Sequence, residues 1–107
     1  MIKNNRYRLE QAIKIMKDAN KKYKDGSYGI AIYSAYLAKT YFEECRNEDG
    51  VSFCSDIINL ATTELREELK RDAFNQLISE GVKEPTQELI RSKIRTWEGH
   101  FSSSNNF

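Results

Sequence analysis

Histidine and cysteine, the side chains that most often do chemistry in proteins, are sparse in this sequence of 107 residues. The single histidine is His100, and the two cysteines are Cys45 and Cys54. A tetrahedral zinc site would lack ligands, because neither cysteine has a second cysteine pair or a suitably spaced histidine near it. General acid–base catalysis needs a titratable group with a partner that shifts its pKa, and the sequence supplies His100 with none. We therefore predict no metal, no cofactor and no catalytic residues, and we expect reduced, structural thiols.

Carboxylates occur as adjacent pairs at Glu43-Glu44, Glu48-Asp49 and Glu67-Glu68. Adjacent side chains on a helix diverge by about 100°, so such a pair does not jointly hold a metal in the usual way. Phosphate-binding glycine loops and a serine or cysteine nucleophile with an identifiable base are absent from the sequence. The carboxylates are typical of a solvated face, and the chain is predicted not to be an enzyme.

Two short patches resemble HEPN-type helical nucleases. Arg95 and His100 have the Arg-x4-His spacing of that family's ribonuclease motif, and the segment GSYGIAIYSAYLAKT is similar to its early helices. The resemblance implies RNA cleavage by Arg95 and His100. In that family the motif opens a further helix, whereas seven residues follow His100 here, so a nuclease is the third of three functional hypotheses.

The composition indicates which elements must position these side chains. At 39% hydrophobic and 31% charged, with one proline and five glycines, the chain is typical of one small globular domain rich in helix. Its net charge of +1 excludes an overall basic field that would make nucleic acid the default partner. There is no run of 18 apolar residues and no apolar segment after the basic N-terminus, so we expect a cytoplasmic protein that does not enter a membrane.

Apolar residues at helical spacing, interrupted near glycines, predict four helices over about 4–24, 27–46, 51–80 and 86–101. Gly26 and Gly81 lie where helices should end. The third segment forms one helix or two, because its charged part has only Leu65 and Leu69 as apolar residues. The predicted fold is all-α: a compact bundle of four helices, or five, without significant β-sheet. It makes one domain over 1–101, with a flexible polar tail at 102–107.

The second predicted helix is almost uncharged, since Lys39 is the only charged residue between Tyr28 and Phe42. One of its faces carries only small residues: Ala31, Ala35, Ala38 and Cys45. Such a helix is predicted to lie at the centre of the bundle or of a homodimer. All six tyrosines lie at or before position 41, and those of this helix point in different directions, which is typical either of a filled core or of a protein contact.

Charge is distributed unevenly along the chain. Residues 1–24 carry eight Lys or Arg and two acids, whereas residues 25–70 carry four and nine. On the first helix six of the basic residues fall within roughly 80° of arc, opposite the apolar stripe and interrupted by Glu10: Lys3, Arg6, Lys14, Lys17, Lys21 and Lys24. They form either an ordinary solvated face or a site for an acidic protein or a phosphate backbone. The predicted protein-binding residues are Lys14, Lys17, Lys21, Lys24, Tyr28 and Tyr36.

The segment LISEGVKEPTQELIRSKIRTW has two apolar helical patterns around a Gly-x3-Pro connection, compatible with a helix-turn-helix variant. Its EG-x3-PT-x3-IR pattern is similar to plasmid-type DNA-binding domains such as the KfrA N-terminal domain, over about twenty residues. The resemblance implies that Gln87, Arg91 and Arg95 contact DNA. An amphipathic helix that packs on the bundle explains the same pattern.

The first functional hypothesis is a small non-enzymatic interaction protein that binds and modulates a protein partner as an adaptor or inhibitor. In size, charge and tyrosine usage the chain is similar to adaptor and inhibitor proteins of phages and mobile elements, including anti-CRISPRs. The alternative is a DNA-binding regulator that uses the helix-turn-helix-like segment or the basic face of the first helix.

Overall fold

The computed structural model describes the backbone of residues 2–104 and the side chains of residues 5–97. Within that range all regular structure is α-helical, in four helices and without a strand, which confirms the predicted all-α class. The helices are α1 (Ile2–Lys24), α2 (Tyr28–Glu44), α3 (Glu48–Ser79) and α4 (Gln87–Ser104). No helix in this part of the chain has both the length and the apolar character to cross a bilayer.

The third predicted segment forms a single helix, so the four-helix alternative is the one observed. The chain divides into two compact units, residues 1–65 and 66–107, which are described separately below. A single domain over 1–101 stays a prediction. In the predicted tail, α4 continues to Ser104, and residues 105–107 lie outside the described range.

Both glycines that were predicted to end helices do so in the left-handed conformation. Gly26 has φ +84°, and behind it the Ser27 N–H donates to the Lys22 carbonyl at 2.9 Å. Gly81 has φ +98°, and the Val82 N–H donates to the Leu77 carbonyl at 3.0 Å. This bond pattern is the Schellman motif, which glycine favours because it has no Cβ to clash at positive φ.

The end of α2 has the same motif without a glycine. Arg46 takes the left-handed position at φ +56°, while the Asn47 N–H donates to the Phe42 carbonyl at 2.9 Å. The side-chain oxygen of Asn47 then accepts a bond from the Gly50 N–H at 2.8 Å, which caps the start of α3. The three residues between the helices, Cys45, Arg46 and Asn47, therefore both end α2 and lead into α3.

Alanines bring α1 and α2 together in the first unit. Ala12 and Ala19 on α1 and Ala35 and Ala38 on α2 are completely buried. Two core clusters each take one alanine from each helix: Ala12, Ala38, Phe42 and Cys54 form one, and Ala19, Ala35, Ile57 and Ile58 form the other. An alanine places only a methyl group between two helices, so their backbones can approach closely. The predicted small-residue face is confirmed.

Gly50 allows α3 to begin against α2. It is buried, and a Cβ at this position would overlap the ring of Phe42, which is itself only 2% exposed. The glycine is required here for space.

In the second unit, Ala73 and Leu77 of α3 are buried. The Glu80 carboxylate lies 2.6 Å from the Lys93 Nζ of α4, and the Gln76 amide also donates to it, at 3.3 Å. The hydrogen bonds from Lys93 and Gln76 lower the pKa of Glu80. Thr86 caps α4 by accepting the Leu89 N–H at 3.2 Å, close to the predicted start of this helix.

Candidate protein-binding surface

The predicted basic face of the first helix is exposed. The main part of this face is called here the lysine row and consists of four exposed residues of α1: Lys14, Lys17, Lys21 and Lys24. These positions recur every three or four residues and face away from the buried alanines, over about 15 Å of helix. None of the four ammonium groups forms an ion pair with another residue in the described part of the chain. The row is thus a concentration of positive charge without direct ion pairs, and the exposed carboxylate of Asp18 lies one turn from Lys14 and from Lys21.

Arg6 and Arg8, nearer the start of α1, are paired instead. Arg6 lies 3.5 Å from Glu10 on the same helix. Arg8 lies 3.4 Å from Glu44 of α2, and its guanidinium carbon stands 4.9 Å from the centroid of the Tyr41 ring. Among the α1 side chains that the structure describes, positive charge without an ion pair is therefore concentrated in the second half of the helix. There it also complements the negative end of the helix dipole, because Lys21 and Lys24 occupy the last turn.

The two predicted contact tyrosines have different environments. Tyr28 is half-buried at the start of α2, with its ring 5.8 Å from the ring of Tyr23 at 54°. It therefore packs α2 against the end of α1. Tyr36 is 53% exposed, and the Lys39 Nζ lies 5.9 Å from its ring centroid. Of the two rings, Tyr36 is the one with most of its surface open to a partner.

The side of α2 opposite the alanines is exposed and apolar. It consists of Ile30, Tyr33, Tyr36 and Leu37, which are 55%, 72%, 53% and 37% exposed and are called here the apolar face of α2. The prediction that this helix lies at the centre of the bundle is wrong, because its neighbours in the first unit cover only the alanine side. Sequence reasoning named Tyr36 but missed Ile30, Tyr33 and Leu37. Their positions at 100° per residue, opposite the small-residue face, were the available signal.

The residues of the DNA-binding alternative share a stripe on α4. Gln87, Arg91 and Arg95 are exposed and follow one another at four-residue spacing. Gln87 and Arg91 line a groove together with Lys70 of α3, inside the second unit. DNA binding by this stripe stays a prediction.

Both cysteines are free thiols. Cys54 is completely buried, and this burial raises its pKa to about 11, so the thiol stays protonated and unreactive at neutral pH. The thiol of Cys45 is half-buried and donates to the Asn5 carbonyl at 3.4 Å.

In the range that the structure describes, no three His, Cys, Asp or Glu side chains converge as metal ligands would. The His100 side chain lies outside that range, so the Arg95 and His100 pair stays a sequence observation.

No known protein family matches this chain, and neither a curated protein nor a solved structure is similar enough to match it. What the chain binds must therefore be inferred from its own surfaces.

Proposed function

We propose that this chain is a non-enzymatic interaction protein that binds and modulates an acidic protein partner through the lysine row. The observation that carries the proposal is a row of four exposed lysines without ion-pair partners, in a chain whose net charge is only +1. Clustered positive charge steers an acidic surface toward the helix and raises the association rate. The chain is small and its charge is unevenly distributed. These features favour an adaptor or an inhibitor, such as those of phages and mobile elements.

Charge around the row favours a protein over a long nucleic acid. Asp18, one turn from Lys14 and Lys21, and Asp25, one turn after Lys21, are exposed carboxylates beside the row. A uniform polyanion lying along the row would bring phosphates near them. A partner with one local acidic patch avoids that repulsion.

The test reverses the charge of the row in the triple variant Lys14→Glu, Lys17→Glu and Lys21→Glu. Folding should change little, because exposed ion pairs contribute only about 0–1 kcal/mol each. The matched control reverses three exposed basic residues of the second unit, Arg66, Arg71 and Lys83, by the same total charge. Both variants are checked for helix content by circular dichroism before binding is measured.

Partner capture is measured with the immobilised chain in a nuclease-treated lysate of the cells that express it, and binding is then quantified with the captured protein. We expect the row variant to bind at least tenfold more weakly, a loss of about 1.4 kcal/mol, and the control to bind like the parent. A row variant that folds and binds as tightly as the parent would reduce the row to ordinary solvated surface.

A gel-shift measurement with a DNA duplex covers the alternative function. If the parent shifts the duplex, and Arg91→Ala with Arg95→Ala abolishes the shift while the row variant retains it, the DNA-binding hypothesis replaces the proposal. The nuclease hypothesis is checked with labelled RNA, since its cleavage would have to be lost on Arg95→Ala or His100→Ala.

A further inference from the structure

The apolar face of α2 lies on a different helix from the lysine row and calls for a different kind of contact. Its two tyrosines and two aliphatic residues belong to a helix with one charged residue between positions 28 and 42. Contiguous exposed apolar surface of this kind marks an interaction site, whereas scattered apolar residues do not. We propose that two copies of this chain form a dimer in which the apolar face of one α2 packs on that of the other.

The spacing along the helix suits a helix pair. Positions 30, 33, 37 and 40 recur at intervals of three, four and three residues, which is the spacing of a seam between two packed helices. The hydroxyl of Thr40 donates to the Tyr36 carbonyl of its own helix at 3.1 Å. Its donor is therefore already satisfied, and no unpaired donor is introduced where Thr40 meets a partner.

A two-fold axis near residue 35 makes this seam complementary to itself. With the two helices antiparallel, Tyr33 of one copy meets Leu37 of the other, and Ile30 meets Thr40. A two-fold interface requires such reciprocal pairs, since each contact occurs twice. Tyrosine suits this position because its ring is apolar while its hydroxyl can stay in water at the rim.

Charge and area both favour a second copy as the occupant. The seam positions 30, 33, 37 and 40 carry no charge, so a highly charged partner would find no counter-charge along the seam itself. Two charged residues flank it: Lys39, whose ammonium lies 5.9 Å from the Tyr36 ring centroid, and Glu44, one turn beyond Thr40, which is paired with Arg8 at 3.4 Å. The exposed fractions of the four side chains leave about 500 Å² per copy, so complete coverage in a dimer would bury at most about 1,000 Å² in total, the size of a weak specific interface. A second copy supplies the same uncharged seam, and the dimer is expected to be a weak one.

The experiment measures the mass of the parent by light scattering and its dissociation constant by sedimentation. At about 100 µM the parent should have about twice its monomer mass of 12.5 kDa. Ile30→Glu and Tyr33→Glu should each raise the dissociation constant at least tenfold. Leu60→Glu is the matched control, because Leu60 is 52% exposed on α3, off the proposed face, against 55% for Ile30. It should leave the constant within twofold.

A parent that stays monomeric at this concentration overturns the proposal. So do Ile30→Glu and Tyr33→Glu proteins that both dimerise like the parent, or a Leu60→Glu protein that dissociates as they do. Two variants are used so that one misfolded protein, recognised by its lost helix content, does not decide the result. The lysine-row variant should still dimerise, so the dimer and the proposed function can fail separately.

Discussion

The lysine row of α1 and the apolar face of α2 are both exposed in the first unit, but exposure has a different meaning for each. Lysine ammonium groups are well hydrated, and exposure is their usual state. Burial of apolar surface, by contrast, is favourable by about 25 cal/mol per Å², and an exposed apolar residue does not gain this free energy. A row of lysines thus serves steering and salt-dependent contact, whereas a contiguous apolar face gains free energy when something covers it.

The two sides of α2 add a second contrast. From Ile30 to Ala38 this helix buries its alanines and exposes four large apolar residues, the reverse of an ordinary amphipathic helix. Only in its last turn does a large side chain, Phe42, become buried. Alanines on the inner side allow α1 to lie close along most of α2. The comparison indicates that stability comes from the inner side of α2 and association from the outer side.

The largest expected effect compares these two sides directly. Phe42→Ala removes a ring that is 2% exposed and should lower the free energy of unfolding by about 3–5 kcal/mol. Tyr33→Ala removes a ring that is 72% exposed and should change it by no more than about 0.5 kcal/mol. Urea denaturation of dilute, monomeric protein measures both. Equal losses would show that Tyr33 packs within its own protomer.

Next in size is the effect of added volume on each side. Gly50→Ala forces a Cβ into the Phe42 ring and should destabilise the fold by about 1–3 kcal/mol. Gly29→Ala, on the open side of α2, meets nothing within 4 Å and should be neutral or stabilise by up to about 1 kcal/mol. In a Phe42→Ala background the cost of Gly50→Ala should largely disappear. An unchanged cost there would contradict the contact.

Salt should separate the two exposed surfaces. Raising NaCl from about 50 mM to about 500 mM should weaken partner binding by the lysine row about tenfold, or about 1.4 kcal/mol, because mobile ions screen the attraction. The dimer constant should change less than twofold, since the seam positions 30, 33, 37 and 40 carry no charge. Titrations at both salt concentrations measure the two constants. Parallel changes would mean that one surface serves both contacts.

The smallest effect tests an exposed position at which the backbone, and not the side chain, determines stability. Arg46→Gly removes the strain of a side chain at φ +56° and should stabilise the fold by about 0.5–1 kcal/mol. Gly81→Ala, which places a side chain at φ +98°, should destabilise it by a similar amount. Thermal unfolding of both variants gives the comparison. A destabilised Arg46→Gly protein would show that the arginine side chain contributes a contact of its own.

Sequence reasoning located the helices and several of their ends, since those features depend on neighbouring residues. It did not find Arg46 as a helix end, because arginine has no preference for positive φ and adopts it here only with the motif around it. It did not identify Gly50 as a packing residue either, because a glycine that removes a clash has the same sequence signature as a glycine in a loop.

The sequence by itself therefore determined the all-α class, the ends at Gly26 and Gly81, and the segregation of lysines from alanines, because helical periodicity and backbone freedom act within a few residues. The tertiary structure alone decided which side of α2 is covered. That outcome depends on contacts between residues far apart in the chain, such as Ala12 with Ala38. Periodicity shows that a face is apolar, but only the packing of the neighbouring helices determines whether water or protein lies against it.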